Sequence, residues 1–331
     1  MKMKRMIAWL LSLMLVFTMI PAFSVAVYAE DGNGSPAISI GAGNIEKGNK
    51  VYMGVRLLGT GPFTESPISW IVLGDANSTD LKNGDETVDA KNARLLITEK
   101  TQGSVQFDPD GQSNVWQGST AQEWCRNFIS DRDGGWIYAT ESNEWRDHFS
   151  GLEKTVMLST SKEDDAYDEW GTSLLDNEQL FFLSAEEVSD KYRYFNGNES
   201  RIAYQHDKGE TWNWWLRSPS SRNSDHAARV TSNGSVDFDA VDKPIGARPA
   251  FNFNLTSVLF TSAAEGGKIS GAAGADALAS IADNTTNEWK LTLKDTSRSG
   301  FQAVAADGAA LEMTEGYSGW SIPVVYSGAN T

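Results

Sequence analysis

The sequence contains few of the residues on which many catalytic and metal sites depend. Its 331 residues include one cysteine and three histidines. A single cysteine excludes an intramolecular disulfide and a multi-cysteine metal site. The histidines, His148, His206 and His226, are far apart and lack paired metal-binding spacing. We therefore predict no cofactor or metal, and a fold held together by packing.

Positive charge is also scarce. The chain carries 28 basic against 44 acidic side chains, a net charge of −16, and has no local basic patch. Such a balance repels phosphate backbones, which excludes nucleic acid as an expected partner. With 40% apolar residues the chain can bury a sizeable core, and its length suggests roughly two domains.

Complete catalytic motifs are missing. Residues Ser159–Lys162 match S-x-x-K, but no S-D-N or downstream K-T-G accompanies them, so we interpret the match as chance. Acidic residues are plentiful, which leaves a glycosidase-type carboxylate pair open, although nothing selects the pair. The sequence therefore favours a non-catalytic protein.

The first 29 residues have the pattern of a secretory signal peptide. A basic stub, Met1–Arg5, precedes an apolar run, Met6–Ile20, and Val27–Ala29 supplies small residues for cleavage. We expect a secreted, extracellular protein at a bacterial cell surface, with no membrane span after cleavage. An uncleaved anchor is the alternative. Residues 30–47 are rich in turn formers and predict a tether.

Short β-rich runs dominate the mature chain, and two segments predict helices. Strands are expected at Val51–Leu58, Ile68–Leu73 and Arg94–Thr98. A helix is predicted from Thr120, with Thr120 and Glu123 as a capping box. Its apolar face comprises Ala121, Trp124, Cys125, Phe128 and Ile129.

A second capping box is predicted at Ser184 and Glu187, after the strand-like Leu180–Leu183, with a short helix reaching about Tyr194. The Asn233–Gly234 pair predicts a hairpin with a type I′ turn. Residues 262–284 have the composition of a flexible segment. Residues 256–331 predict a β-rich segment that resembles part of a β-sandwich, an incomplete Ig-like domain.

Two motifs, W-L-R-S-P at Trp215–Pro219 and R-P-A at Arg248–Ala250, resemble a bacterial secreted family catalogued as a domain of unknown function, type 6273. Further landmarks occur in the same order, and the resemblance covers about residues 48–255. The residues assigned to the family's structural motif are Trp70, Trp124, Ser218, Pro219, Gly234, Arg248 and Pro249.

The resemblance implies an α+β fold, a C-type-lectin-like domain with short helices and a twisted antiparallel sheet, and no established activity. It is similar in outline to the formylglycine-generating enzymes, whose chemistry uses cysteines. The lone Cys125 on an apolar helix face makes that activity unexpected here. The calcium motifs of sugar-binding lectins, E-P-N and W-N-D, are absent.

Four residues are the candidate ligand contacts: Trp136, Trp212, Trp214 and Arg217. The tryptophans could form an aromatic platform, or be buried, since strand alternation sends Trp212 and Trp214 to one face. Arg217 and Arg248 could clamp a ligand, or pair with acidic residues inside the fold. Two acidic groups could gather calcium or be solvated turns: Asp237, Asp239 and Asp242, and Asp75, Asn77, Asp80 and Asp85.

The favoured function is a secreted or cell-surface non-catalytic binding module whose ligand is a glycan or a surface protein. Its recognition loops are expected at residues 101–118, 131–148 and 196–225. The alternative is a secreted hydrolase of glycans or cell-wall polymers, which requires two convergent carboxylates or one with a raised pKa. A third hypothesis is a spacer within a longer surface protein.

Overall fold

The computed structural model describes residues 38–58, 64–130, 148–166, 169–189, 194–206, 208–264, 287–294, 302–305 and 324–327. Strands make up most of the regular structure in these ranges, and the helices are short. The predicted α+β class is confirmed, with a strong excess of β structure.

The larger sheet has 11 strands and contains most of the apolar runs that the sequence singled out. Its neighbours are antiparallel except for β18 and β2, which run parallel. In spatial order its strands are β1 (Ile38–Ile40), β17 (Val258–Ala263), β18 (Glu288–Leu293), β2 (Lys50–Leu58), β3 (Thr64–Asp75), β6 (Ala93–Thr98), β16 (Ala250–Asn254), β8 (Met157–Asp164), β4 (Asp80–Asn83) and β5 (Glu86–Thr87), with β9 (Ser173–Glu178) also paired to β8.

Three strands of this sheet come from outside the predicted lectin-like segment 48–255. Strand β1 lies in the predicted tether and pairs with β17, while β17 and β18 lie in the predicted C-terminal segment. Strand β18 pairs in turn with β2. The larger sheet therefore includes strands from both sides of the predicted segment 48–255. The predicted signal peptide and most of residues 262–284 lie outside the described residues.

The second sheet has 5 strands, in the order β14 (Val236–Ala240), β13 (His226–Val230), β12 (Trp214–Pro219), β15 (Ile245–Ala247) and β7 (Gly103–Val105). Strands β12 and β15 are parallel, and the other pairs are antiparallel. Two small sheets complete the described strands: β10 (Ala203–Tyr204) with β11 (Thr211–Trp212), and β19 (Gln302–Ala305) with β20 (Val324–Ser327).

The predicted hairpin is confirmed as β13 and β14, but the predicted type I′ turn is wrong. Val230 pairs with Val236, which leaves residues 231–235 as a wider turn. Gly234 has φ 84°, whereas Asn233 is not among the residues with positive φ. The Asn233 side chain instead accepts from the Thr231 hydroxyl (2.5 Å) and the Ser235 amide (3.2 Å), which stabilises the longer loop.

The α-helices within the described residues are α1 (Thr120–Ser130), α2 (Gly151–Lys154), α3 (Ala185–Val188) and α4 (Asn198–Arg201). Helix α1 begins at the predicted residue, but the predicted cap is displaced by one position. Ser119 accepts from the Gln122 amide (3.1 Å), and the Gln122 side chain accepts from the Gly118 amide (2.7 Å). Ser119 precedes the first helical residue, where a capping side chain can reach an unpaired amide.

The second predicted capping box is confirmed in full. Ser184 accepts from the Glu187 amide (3.1 Å), and Glu187 accepts from the Ser184 amide (2.8 Å). Helix α3 nevertheless ends at Val188, short of the predicted Tyr194. The preceding segment forms a single bridge, Phe181 to Ala250, rather than a full strand.

One hydrophobic core extends across both sheets and the inner face of α1. Its largest wholly buried side chains include Trp70, Trp214 and Trp215. The Trp215 indole donates to the Val105 carbonyl (2.8 Å), so the ring also has its polar edge satisfied. On α1, Trp124 stacks on Phe128 at a centroid distance of 4.9 Å, and the predicted apolar face is the packed face.

Candidate functional site

Strand β12 carries the W-L-R-S-P motif, and it lies between β13 and β15 near the centre of the second sheet. Arg217 is 0% exposed and Ser218 is 3% exposed, while Pro219 is partly buried. The Ser218 hydroxyl accepts from the Ala185 amide (2.9 Å), which fixes α3 to this strand. The motif therefore belongs to the scaffold.

Arg217 lies in a buried network of charges. Its guanidinium donates to Glu187 at 2.7 and 3.1 Å, to Asp164, and to the Phe182 carbonyl at 2.8 Å. Burial alone would raise the pKa of Glu187, but the two cations around it, Arg217 and Lys162, hold that pKa well below its usual range. Two internal carboxylates occupy the donor face of Arg217 and solvent does not reach it, which favours the alternative that Arg217 pairs with acidic residues inside the fold.

The network continues through Lys162 and two amide side chains. The Lys162 amine contacts Asp164 (2.5 Å) and Glu187 (2.8 Å). The Asn77 side-chain nitrogen also donates to Glu187 (2.6 Å), and Asn252 donates to the Asn77 oxygen (2.6 Å). We call these residues, with Arg217, the buried polar network. It joins β8, α3, β12, β16 and the connection between β3 and β4.

Arg248 has a structural position as well. Its guanidinium donates to the carbonyls of Thr98 (2.9 Å) and Arg201 (3.1 Å) and lies over the Trp214 ring at 4.8 Å. Burial lowers its pKa to about 9, partly offset by the charge of Glu99, so Arg248 stays protonated at neutral pH. Trp214 donates to the same Arg201 carbonyl (3.0 Å) and is 0% exposed. The position of Trp214 therefore favours the alternative that its ring is buried in the core.

The other predicted ligand contacts differ in position. Trp136 lies outside the described residues. Trp212, on β11, is partly buried and is paired with the buried Ala203, so its face of the small hairpin points inward. The outward face of that hairpin presents Tyr204, which is 47% exposed. Trp212 and Trp214 thus do not form an open aromatic platform.

The hydrolase alternative requires a carboxyl group with a raised pKa. Each described carboxyl group with a resolved pKa shift is shifted downward: Asp89, Glu99, Glu187 and Asp225. For Glu99, burial raises the pKa, but hydrogen bonds from Lys50 and Ser69 outweigh it. These groups do not supply the proton-holding acid that glycoside hydrolysis uses. The Lys162 amine of the S-x-x-K match is held by carboxylates in the buried polar network.

Three of the residues suggested for calcium have other partners. Asp239 pairs with Arg229 and Lys243, and Asp237 lies 3.6 Å from Arg229. Asn77 belongs to the buried polar network. Within the described ranges, histidine, cysteine and acidic side chains form no group of three or more arranged to hold a metal ion.

Three segments meet at the end of β12, and we call them the loop cluster: residues 108–118, residues 169–174, which lead into β9 and include its first two residues, and residues 219–226. The side-chain amide of Asn114 lies within hydrogen-bonding distance of the carbonyls of Ser220 (3.0 Å), Asn223 (2.9 Å) and His226 (2.8 Å). Asn114 is 6% exposed, so this junction is shielded from water. One buried side chain thereby fixes the first loop to the third.

The second loop is attached to the third by backbone pairing. The Gly171 amide donates to the Pro219 carbonyl (2.9 Å), and the Ser221 amide donates to the Glu169 carbonyl (2.8 Å). A Cβ on Gly171 would lie 3.1 Å from the Pro219 ring, which shows how closely these loops pack. The cluster has a defined shape before any ligand arrives.

The loop cluster exposes apolar side chains on this fixed backbone. Val115 is 50% exposed and Leu174 is 41% exposed, and Gln117 joins the two segments by donating to the Leu174 carbonyl. Together with Tyr204, these are the large hydrophobic side chains that are exposed among the described residues. Exposed apolar groups on an ordered surface commonly mark interaction sites.

Two of the segments expected to carry recognition, 101–118 and 196–225, overlap the loop cluster. The large aromatic residues of the first, Phe107 and Trp116, are 0% and 1% exposed and pack in the core. The exposure of Leu174 could have been predicted from the adjacent pair Leu174 and Leu175. Neighbouring residues of a strand face opposite sides, so one of two adjacent leucines is expected to point outward. Val115 had no such signal, since one aliphatic residue in a polar loop says nothing about its exposure.

Comparison with known proteins gives a family match for the central segment. Residues 91–255 match the model of the family described as "Domain of unknown function (DUF6273)". The matched segment contains Arg217, Arg248 and the loop cluster, whereas β2 and β3 precede it. The predicted resemblance to this family is confirmed over those residues. No curated protein and no solved structure matches the chain.

No helix within the described ranges has the length and apolar character needed to cross a membrane.

Proposed function

We propose that this chain is a secreted, non-catalytic binding module with a C-type-lectin-like fold, and that the loop cluster is its recognition surface. The observation that carries the proposal is the exposure of Val115 and Leu174 on segments fixed to the end of β12, the first by the buried Asn114 amide and the second by backbone hydrogen bonds. A preformed surface loses little conformational entropy when it binds, so its apolar contacts contribute to affinity.

A surface protein is the ligand class that this surface fits best. Its most exposed large side chains are branched aliphatic groups, and polar side chains surround them at exposed positions such as Gln112, Ser113 and Asn223. Protein interfaces combine an apolar centre with a polar rim. Glycan sites rely more on exposed aromatic rings, whereas of the two tryptophans of the cluster Trp116 is buried and Trp170 is only partly exposed.

Secretion and the lectin-like architecture belong to the same proposal. The basic, apolar and small-residue pattern of residues 1–29 supports export, with the mature chain beginning at Glu30. Two sheets with short helices and functional loops at one end of a central strand support the lectin-like assignment. N-terminal sequencing of protein collected from the culture medium tests export. Protein retained in the cells with Met1 intact would contradict it.

Ligand class is tested by probing two arrays with the labelled mature chain. One array displays bacterial surface proteins, and the other displays glycans and cell-wall fragments whose turnover is monitored in the same wells. We expect saturable binding to a protein and unchanged glycans. Saturable glycan binding would replace the protein ligand, and product formation would replace the non-catalytic assignment with the hydrolase.

Variants then locate the surface. Val115→Asp and Leu174→Asp each place a charge at the centre of the loop cluster, where burial against a partner would be unfavourable. Tyr204→Asp is the matched control, because Tyr204 is equally exposed but belongs to β10 at the other end of β12. Loss of binding in the first two variants with retention in the third is the expected result.

A further inference from the structure

The buried polar network brings an amine and a carboxamide to one carboxylate oxygen. Oε1 of Glu187 accepts from the Lys162 amine at 2.8 Å and from the Asn77 side-chain nitrogen at 2.6 Å. Glu187 is 0% exposed, Asn77 is 6% exposed, and the Lys162 side chain is 10% exposed. A nucleophile, an acyl group with a leaving nitrogen and a proton acceptor are therefore adjacent in a site shielded from water.

The acyl group is also polarised. Asn252 donates its side-chain nitrogen to the Asn77 oxygen (2.6 Å) and to the Thr160 hydroxyl (3.0 Å), and Asn252 is 0% exposed. A fixed donor at this oxygen withdraws electrons from the carbonyl carbon and stabilises the negative charge that develops when an amine attacks. The backbone N–H of Asn77 also donates to the side-chain oxygen of Asn252 (3.3 Å), which holds Asn77 in place.

We propose that Lys162 and Asn77 form an intramolecular isopeptide bond, with Glu187 transferring the protons. The Lys162 nitrogen attacks the Asn77 side-chain carbonyl carbon, and a new C–N bond forms while the original bond to the Asn77 side-chain nitrogen breaks. The charged amine loses two protons in becoming an amide. One converts the leaving group to ammonia, and the other stays on a network carboxyl group or leaves as ammonium. No oxidant or cofactor takes part.

The charges around the site make the reaction self-contained. Lys162 contacts Asp164 and Glu187, so a proton passed from its amine to either carboxylate leaves the net charge of the buried polar network unchanged. Burial raises the pKa of Glu187, but Arg217 and Lys162 outweigh it, so the resting site is charged and this proton transfer is the uphill step of the reaction. Arg217 contacts the same two carboxyl groups and remains as their cation after the lysine charge has been consumed. The product would covalently join β8 to the connection between β3 and β4.

Peptide mapping of the purified full chain by tandem mass spectrometry tests the bond. We expect one branched peptide joining the Asn77 and Lys162 segments, lighter by one ammonia than the two free peptides, with no tryptic cleavage after Lys162. Recovery of both peptides unlinked and at full mass would overturn the proposal. Succinimide formation at another asparagine also releases ammonia, but it yields no branched peptide. The fragment spectra therefore distinguish it from the isopeptide bond.

Two lysine variants provide the matched comparison. Lys162→Arg keeps the positive charge but removes the amine, and we expect complete loss of the branched peptide. Lys82→Arg makes the same change at an exposed lysine on β4 and should leave the branched peptide intact. Glu187→Gln removes the proton acceptor and should reduce the linked fraction. If a variant fails to fold, the wild-type map still decides whether the bond exists.

Discussion

Replacing Arg217 by methionine is predicted to destabilise the fold strongly. The change removes the guanidinium and leaves Asp164 and Glu187 in the interior with only one of the two cations they share, Lys162. Arg217 and Glu187 are 0% exposed and Asp164 is 2% exposed, so solvent does not screen the loss. Removing one partner of a buried ion pair costs about 3–5 kcal/mol, and we expect Arg217→Met to lower the free energy of unfolding by that amount.

Urea unfolding followed by tryptophan fluorescence measures the effect. Arg222→Met is the matched control, because Arg222 pairs with Glu169 at 2.7 Å but its side chain is 69% exposed. Exposed pairs contribute less than about 1 kcal/mol, so this variant should unfold near the wild-type midpoint. An equally small effect of Arg217→Met would refute the assignment of Arg217 to the scaffold.

The same variant has a predicted pH signature. The folded-state pKa of Glu187 lies below its unfolded value, so its stabilising contribution is present above the unfolded pKa of about 4.3 and is lost as the pH falls through the folded value. In Arg217→Met the pKa of folded Glu187 is expected to be higher than in wild type, because Lys162 alone then opposes the effect of burial. The gap in stability between wild type and Arg217→Met should therefore narrow as the pH is lowered from neutral. A gap that widens in acid would contradict this reasoning.

Three further predictions concern residues whose positions are fixed by close packing. Gly234→Ala should cost at least about 2 kcal/mol, because φ is 84° and the new Cβ would lie 1.9 Å from the Asn198 carbonyl oxygen. Gly209→Ala, at φ 67° with open space around it, should cost only about 1–2 kcal/mol in the same urea assay. Cys125 is fully buried, and burial raises its thiol pKa, so a thiol reagent should label it only after denaturation; rapid labelling of native protein would show that α1 is misplaced. Trp214→Ala should lower the free energy of unfolding by about 3–5 kcal/mol rather than affect only binding, as calorimetry can establish.

Local features were readable from the sequence because their partners are neighbours in the chain. The start of α1 and the Ser184–Glu187 capping box each depend on residues within one turn, and both were predicted. The pairing of β1 with β17, by contrast, joins segments more than 200 residues apart, and neither has a pattern that names the other. Turn width at Asn233 depended on side-chain hydrogen bonds that a two-residue motif does not specify.

The candidate site was harder to predict because burial is set by tertiary contacts. Arg217 has the chemistry of a ligand clamp, and only the positions of Asp164 and Glu187 show that its donors are occupied inside the fold. Tryptophan abundance pointed to a binding platform, whereas the largest rings fill the core. Val115, the most exposed large hydrophobic residue of the loop cluster, is an ordinary aliphatic residue without a sequence signature.

The central claim is that the loop cluster binds the ligand while the W-L-R-S-P strand supports it. It is tested most directly by titrating the first saturable ligand from the arrays with wild type, Val115→Asp, Leu174→Asp and the Tyr204→Asp control, all with unfolding midpoints confirmed as unchanged. We predict at least a tenfold rise in Kd, about 1.4 kcal/mol, for the two loop-cluster variants and a wild-type Kd for Tyr204→Asp. Wild-type affinity in both loop-cluster variants would contradict the claim.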